Sequence, residues 1–227
     1  MSFEFEADFF RALLAETGAR PHRTLIVGCG AGEEVGHLAA MTGTLAIGVD
    51  LDVDARWNRP NAGASLLRAD ARALPFRAGA FDALYCYHVL EHVPRPEGAV
   101  REARRVLSPN GLAFFGTPNR SRLVGYAGGR ATTWQKVKWN LADYGKRLTG
   151  RWRNERGAHA GFTHRELAEL LSRAFARVES VSLPYYLRKY PRLERLWRTS
   201  FRFGLARFLV PSVYFRATDG DVAPGRR

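Results

Sequence analysis

Cysteine, methionine and lysine are scarce in this 227-residue chain, with two, two and four copies against 31 arginines. The two cysteines, Cys29 and Cys86, form no CxxC pair and sit in no His/Cys cluster at zinc spacing. That excludes a disulfide scaffold and argues against a structural metal. No apolar run reaches the roughly 18 residues that a membrane-crossing helix needs. The opening MSFEFEADFFRALL is acidic and lacks the basic, apolar and small-residue order of a signal peptide. A cytoplasmic location is the expectation, with a peripheral position at the inner membrane surface as its variant. Apolar residues make up 46% and charged ones 25%, a globular composition, and a chain this long closes a core without staples.

Acidic residues are also scarce, but only locally. Residues 1–119 carry 12 basic and 14 acidic groups, whereas residues 120–227 carry 23 basic and 8 acidic. An acidic partner follows from this asymmetry: anionic lipid, a phosphorylated substrate or nucleic acid. The plainer alternative is a solvated, arginine-rich surface.

The first half alternates short apolar runs with helix-like stretches, the pattern of a parallel sheet covered on both faces. Helical spacing of Phe5, Phe9, Phe10, Leu13 and Leu14 predicts a helix over 3–17. Strands are predicted at 24–28, 45–50, 64–69, 81–87 and 112–116, with helices at 32–41 and 97–107 and a Ser108-Pro109-Asn110-Gly111 turn before the fifth strand. Residues 120–160 show no clear strand and hold three of the five tryptophans, and read as a basic, partly helical cap. Thr163 and Glu166 then form a capping box for a helix over 163–174, ahead of a sixth strand at 177–183. Residues 190–209 read as one amphipathic helix, with Leu193, Leu196, Trp197, Phe201, Leu205, Phe208 and Leu209 on a stripe and five arginines around it. A last strand follows at 213–217. The predicted organisation is a cofactor-binding core (1–119), the cap (120–160), the rest of the core (161–218) and a disordered tail from Asp219.

The sharpest local signal is Gly28-Cys29-Gly30-Ala31-Gly32, between a predicted strand and a helix. Glycines there let the backbone turn tightly and approach a ligand. Asp50 closes the next strand, where a carboxylate accepts the hydroxyls of an adenosine ribose. A dinucleotide fingerprint needs a small residue at position 33, and this chain has Glu33 followed by Glu34. Two carboxylates at a helix N-terminus repel a pyrophosphate, so the loop suits a phosphate-free ligand with a cationic amino-acid end. S-adenosylmethionine has that description.

Five stretches carry a resemblance: LIVGCGAG (25–32), GVDLD (48–52), RADARALPF (68–76), FDALYCYHVLEHV (81–93) and LSPNGLAFFGTPN (107–119), with GFTHRELAELLSRAF (161–175) beside them. The chain resembles class I S-adenosylmethionine-dependent methyltransferases of the type 11 group, whose acceptors are small molecules or lipids. The resemblance implies an α/β fold: a three-layer, Rossmann-like, seven-stranded and mostly parallel sheet, here with a basic insertion after strand five. It implies that Gly28, Cys29, Gly30 and Gly32 surround the methionine end of the cofactor, that Asp50 binds the ribose and that Leu51 flanks the adenine. Asp70 would accept from the adenine amino group with Ala71 beside it, and Tyr87 and His88 would face the sulfonium. One departure is Ile26, where the family often carries an acid.

Asp50 and Asp70 also fit the plainer role of strand-end turn residues. The candidate bases are His88, His92 and His159, since methyl transfer to a hydroxyl needs a group tuned near neutrality. His92 has loop anchoring as its alternative, and no metal is expected. Asn119 and Tyr126 follow strand five, where ligand-binding loops lie. The expected reaction moves a methyl group in line to an oxygen, or a nitrogen, of a small-molecule or lipid-linked acceptor. The rivals are an RNA methyltransferase using the cationic half, and a non-catalytic cofactor-binding interaction protein. The 190–209 stripe packs on the protein itself, enters an anionic membrane surface or meets nucleic acid. Oligomeric state is left open by the sequence.

Overall fold

The computed structural model describes residues 4–18, 21–54, 57, 63–125, 132–154 and 160–220. Helix α1 (Glu4–Glu16) leads into strand β1 (Arg23–Val27), helix α2 (Glu33–Thr42) and strands β2 (Leu45–Asp50), β3 (Ala64–Arg68) and β4 (Phe81–Tyr87). Helix α3 (Glu97–Val106), strand β5 (Leu107–Pro118) and helices α4 (Thr133–Leu148) and α5 (His164–Ser172) follow. The chain ends through β6 (Arg177–Ser180), α6 (Ser182–Lys189), α7 (Glu194–Arg202), α8 (Ala206–Leu209) and β7 (Ser212–Thr218). The seven strands form one sheet in the order β3-β2-β1-β4-β5-β7-β6, parallel except for β7, which runs antiparallel to both β5 and β6. This is the three-layer α/β architecture read from the sequence.

Alternation along the strands sorts the two layers. Tyr85, Phe114 and Tyr214 face α1 and α6: Phe10 meets Tyr85 with ring centroids 5.4 Å apart, and Tyr185 stacks on Tyr214 at 3.9 Å. On the opposite face Phe115 meets Phe175 at 5.8 Å and Phe215 meets His164 of α5 at 4.7 Å. Because the parallel strands all point one way, their C-terminal ends collect Gly28, Asp50 and His88 along one rim.

Four expectations need correction. Strand five starts at Leu107 instead of 112, because the Ser108–Gly111 turn is absorbed as a bulge: Phe81 pairs with Leu107, and Ala83 already pairs with Leu112. Strand six stops at Ser180, and the chain turns into α6 with Pro184 in its first turn, a position that proline tolerates. The single helix expected over 190–209 is broken into a 3₁₀ turn at Pro191–Leu193, α7 and α8, with Gly204 at φ +71° in the break. The tail does not begin at Asp219, whose carboxylate pairs with Arg104 and accepts the Ala176 N–H at 3.0 Å.

Candidate active site

The glycine loop leaves β1 at Gly28, whose N–H donates to the Val49 carbonyl at 2.8 Å. Gly28 has φ +77°, and a Cβ there would stand 2.1 Å from a methyl of Val89. Only glycine fits both demands. Gly30 donates its N–H to Asp50 Oδ2 at 2.8 Å, and Asp50 Oδ1 accepts the Asp52 N–H at 3.1 Å. Asp50 therefore couples loop and strand end, and keeps lone pairs for a further donor, since a carboxylate has about four acceptor sites.

A cavity of about 370 Å³ opens beside this loop, at the C-terminal ends of β1, β2 and β4. Of the residues singled out in the sequence, Gly28, Asp50, Leu51, Asp70, Ala71, His88 and His92 line it. Val27, Val49, Asp52, Ala69, Arg72, Val89, Val93 and Pro94 complete the wall. Cys29 is buried under the loop, and burial pushes its thiol up to about 12, which leaves it inert as a nucleophile. Gly30 and Gly32 shape the backbone without lining this cavity; Gly32 caps α2 in the left-handed region. His159 and Tyr126 lie outside the described residues.

Tyr87 does not line this cavity. Its ring lies parallel to Tyr214 at 6.3 Å, and burial holds its hydroxyl well above the ordinary range. Asn119 is likewise spent on structure: its amide donates to the carbonyls of Arg207 and Val210, both at 2.8 Å, and its oxygen accepts from Ser121. Asp70 is gripped by Arg72, whose Nη2 lies 2.6 Å from Oδ2, with further bonds from Nε and the backbone N–H. Those bonds hold the Asp70 carboxyl below the usual range. Ile26 is fully buried in register with Tyr85. The carboxyl near Tyr85 is Glu34, in the first turn of α2, which burial pushes up to about 7.

His88 is a non-glycine residue at φ +56°, held by its N–H to the Gly116 carbonyl at 2.8 Å. That left-handed step turns β4 into a short 3₁₀ turn, Leu90–His92. A spacing of four residues would put His88 and His92 on one face of an α-helix, but this turn does not form that relation. Instead the two rings flank Glu91, with His88 Nδ1 3.5 Å and His92 Nε2 3.9 Å from Oε1. Glu91 has no exposed surface, and neither of its oxygens accepts a hydrogen bond. Burial pushes its carboxyl up to about 8, opposed in part by the nearby Arg122 guanidinium. Sequence reasoning set Glu91 apart with His88 and His92 but gave it no role; the signal was an acid beside the apolar pair Val89-Leu90. It also missed Trp57, whose indole N–H donates to the Gly30 carbonyl at 2.7 Å.

Arg122 connects this site to α4. The guanidinium donates to Asp143 Oδ2 at 3.2 Å and to the Asn119 carbonyl at 3.0 Å, and lies 5.0 Å over the Trp152 ring. Both members of the Arg122–Asp143 pair are buried.

Comparison with known proteins bears on what this rim holds. Residues 25–115 match the methyltransferase domain family. The chain is 34% identical over 106 residues to a ubiquinone biosynthesis O-methyltransferase of Bordetella avium, the match covering 44% of each chain. It is 35% identical over 114 residues to the protein of that name from Methylococcus capsulatus, covering 47% of this chain and 48% of that one. The chain thus spans about half the length of the curated relatives it matches. Among solved structures, phosphoethanolamine N-methyltransferase 2 of Haemonchus contortus in complex with S-adenosyl-L-methionine superposes with a TM-score of 0.60 at 16% identity, covering 94% of this chain and 53% of that one. An S-adenosylmethionine-dependent methyltransferase of Mesorhizobium loti gives 0.57 at 21% identity, covering 94% and 97%. Glycine loop, strand-end acid and sheet order converge with these matches: residues 25–115 are similar to the methyltransferase domain family, and the chain has the fold of S-adenosylmethionine-dependent methyltransferases.

Proposed function

We propose that this protein transfers the methyl group of S-adenosylmethionine to an oxygen, or a nitrogen, of a small-molecule acceptor that can be lipid-linked. The observation that carries this reading is one cavity lined by Asp50, Leu51 and Asp70 on one wall and by His88, beside the buried carboxyl of Glu91, on the other. The residues fit the cofactor. Gly28 leaves room where a Cβ would close the loop, Asp50 retains acceptor capacity for ribose hydroxyls, and Leu51 offers an apolar flank to the base. Asp70 and its bound Arg72, with Ala71 between them, close the adenine end as a unit.

The cofactor supplies a methyl group already made electrophilic by the sulfonium. What remains for the chain is to place the acceptor in line and to take up its proton. His88 accepts that proton. Glu91 lies 3.5 Å from His88 Nδ1 and gains negative charge as pH rises through about 8, which raises the basicity of the ring. Val89, Val93 and Pro94 keep that wall apolar and limit water.

Calorimetric titration with S-adenosylmethionine, with NAD as control and Asp50→Ala alongside, tests the reading. Binding of the first ligand alone, lost in the variant, is expected and leads to an acceptor screen beginning with phenolic and lipid-linked pools. Absence of binding by the wild-type protein at concentrations that detect weak affinity would sink it. Nucleic acid retained through purification and released by salt would shift the acceptor to RNA.

A further inference from the structure

Helix α4 is packed the wrong way round for a soluble protein. The side it turns to the molecule is polar: Asn140 exchanges hydrogen bonds with the backbone of Gly125, Asp143 pairs with Arg122, and Arg147 Nη2 donates to the Arg120 carbonyl at 3.2 Å. Trp134, Val137, Leu141, Tyr144 and Leu148, spaced three and four residues apart, form a stripe left in solvent, with Leu141 63% and Leu148 89% exposed. An ordinary surface helix hides such a stripe. Lys138 and Lys146 lie exposed on the same helix, and its one acidic residue is the buried Asp143.

A second apolar patch adjoins the first. Trp197 is not part of it; the ring lies under α7 against Tyr186 at 4.9 Å. Leu196, Phe203, Leu205 and Leu209 are exposed instead, among the exposed arginines 195, 202 and 207. One residue joins the two patches. The Tyr144 hydroxyl donates to the Leu123 carbonyl, and the Leu123 N–H donates to the Phe208 carbonyl at 2.8 Å. Leu123 and Val124 are themselves exposed between them.

We propose that α4, the 123–124 bridge and the α7–α8 corner form one docking surface for an anionic lipid bilayer. Such a surface meets the apolar residues with acyl chains and the cations with lipid phosphates at the same time. A second copy of this chain would bring like charges against like. Nucleic acid would meet the cations but leave the stripes, largely Leu and Val, without bases to stack on. The segment runs on from the C-terminal end of β5, the rim that carries His88 and Asp50, so docking sets the cavity beside the membrane.

Flotation with vesicles of phosphatidylcholine alone, and of phosphatidylcholine mixed with phosphatidylglycerol, tests this. The wild-type chain is expected to float with the mixed vesicles only and to blue-shift its tryptophan emission. The double variant Leu141→Glu/Leu148→Glu, and separately Phe203→Glu, should lose partitioning by about tenfold or more. Titration of the same variants with S-adenosylmethionine reports folding and the cavity independently, so failure here is distinguishable from failure of the proposed reaction. Variants that float like wild type, or a wild-type chain that stays in solution, would overturn the proposal. So would a wild-type dimer that ignores vesicles and is split by Leu141→Glu/Leu148→Glu.

Discussion

His88 holds a left-handed backbone and faces the cavity at the same time. A residue other than glycine in that region costs about 1–3 kcal/mol, tolerated here because the turn out of β4 fixes it. Asparagine accepts this backbone, so His88→Asn should fold like wild type, seen as an unchanged Tm, while turnover falls by about a hundredfold or more. Glu91 makes a pH-dependent prediction whose sign follows from its raised carboxyl. The native state binds that proton more tightly than the unfolded chain, so the stabilisation is full below the ordinary carboxyl range and is lost as pH rises through about 8. Glu91→Gln should therefore gain Tm relative to wild type as pH goes from about 5 to about 9, and should flatten the alkaline rise in turnover. An equal Tm difference at both ends would remove Glu91 from this role. Gly28→Ala places a methyl against Val89 in left-handed backbone, and calorimetry should show cofactor affinity collapsing before the fold does. The sequence displayed Gly28 and Asp50 because their chemistry is local. It hid the fates of Tyr87 and Asn119, which are decided by Tyr214 and the α8 carbonyls, about 90 or more residues away.

Among the elements, the helix starts were the most legible. Thr163 accepts from the Glu166 N–H at 3.1 Å and the Glu166 side chain returns the bond, the capping box that its spacing announced. Thr163→Ala should lower stability by about 1 kcal/mol, read by denaturant unfolding, because it leaves a helix N–H unpaired. The corner at 190–209 was less legible. Its hydrophobic spacing ran on unbroken, but Pro191 and Gly204 punctuate the backbone, and packing on Tyr186 and Tyr190 selects Trp197 alone to be hidden. Helix α6 was missed because Tyr185 and Tyr186 suit a strand equally well until α1 and β7 claim them. Helix α4 rests on the Arg122–Asp143 pair. Asp143→Ala should strand a buried guanidinium and loosen the helix, visible as faster amide exchange across α4 while the β4–β5 core stays protected.

At the scale of the whole molecule, alternating pattern and motif order made the sheet legible, whereas helix α4 stayed obscure because what holds it is polar. Arg122 is the feature with the longest reach. Its guanidinium lowers the proton affinity of Glu91 on one side and clasps Asp143 of α4 on the other. A coupling of that kind is reciprocal. If holding α4 on a surface shifts Arg122, the proton on Glu91 must loosen or tighten by the same free energy, and titrating that proton must alter the hold on α4 equally. Vesicles added to the protein should then displace the alkaline limb of its turnover, and the pH at which it leaves those vesicles should move with Glu91→Gln. Surface and cavity would thereby report one another's occupancy through a single shared cation.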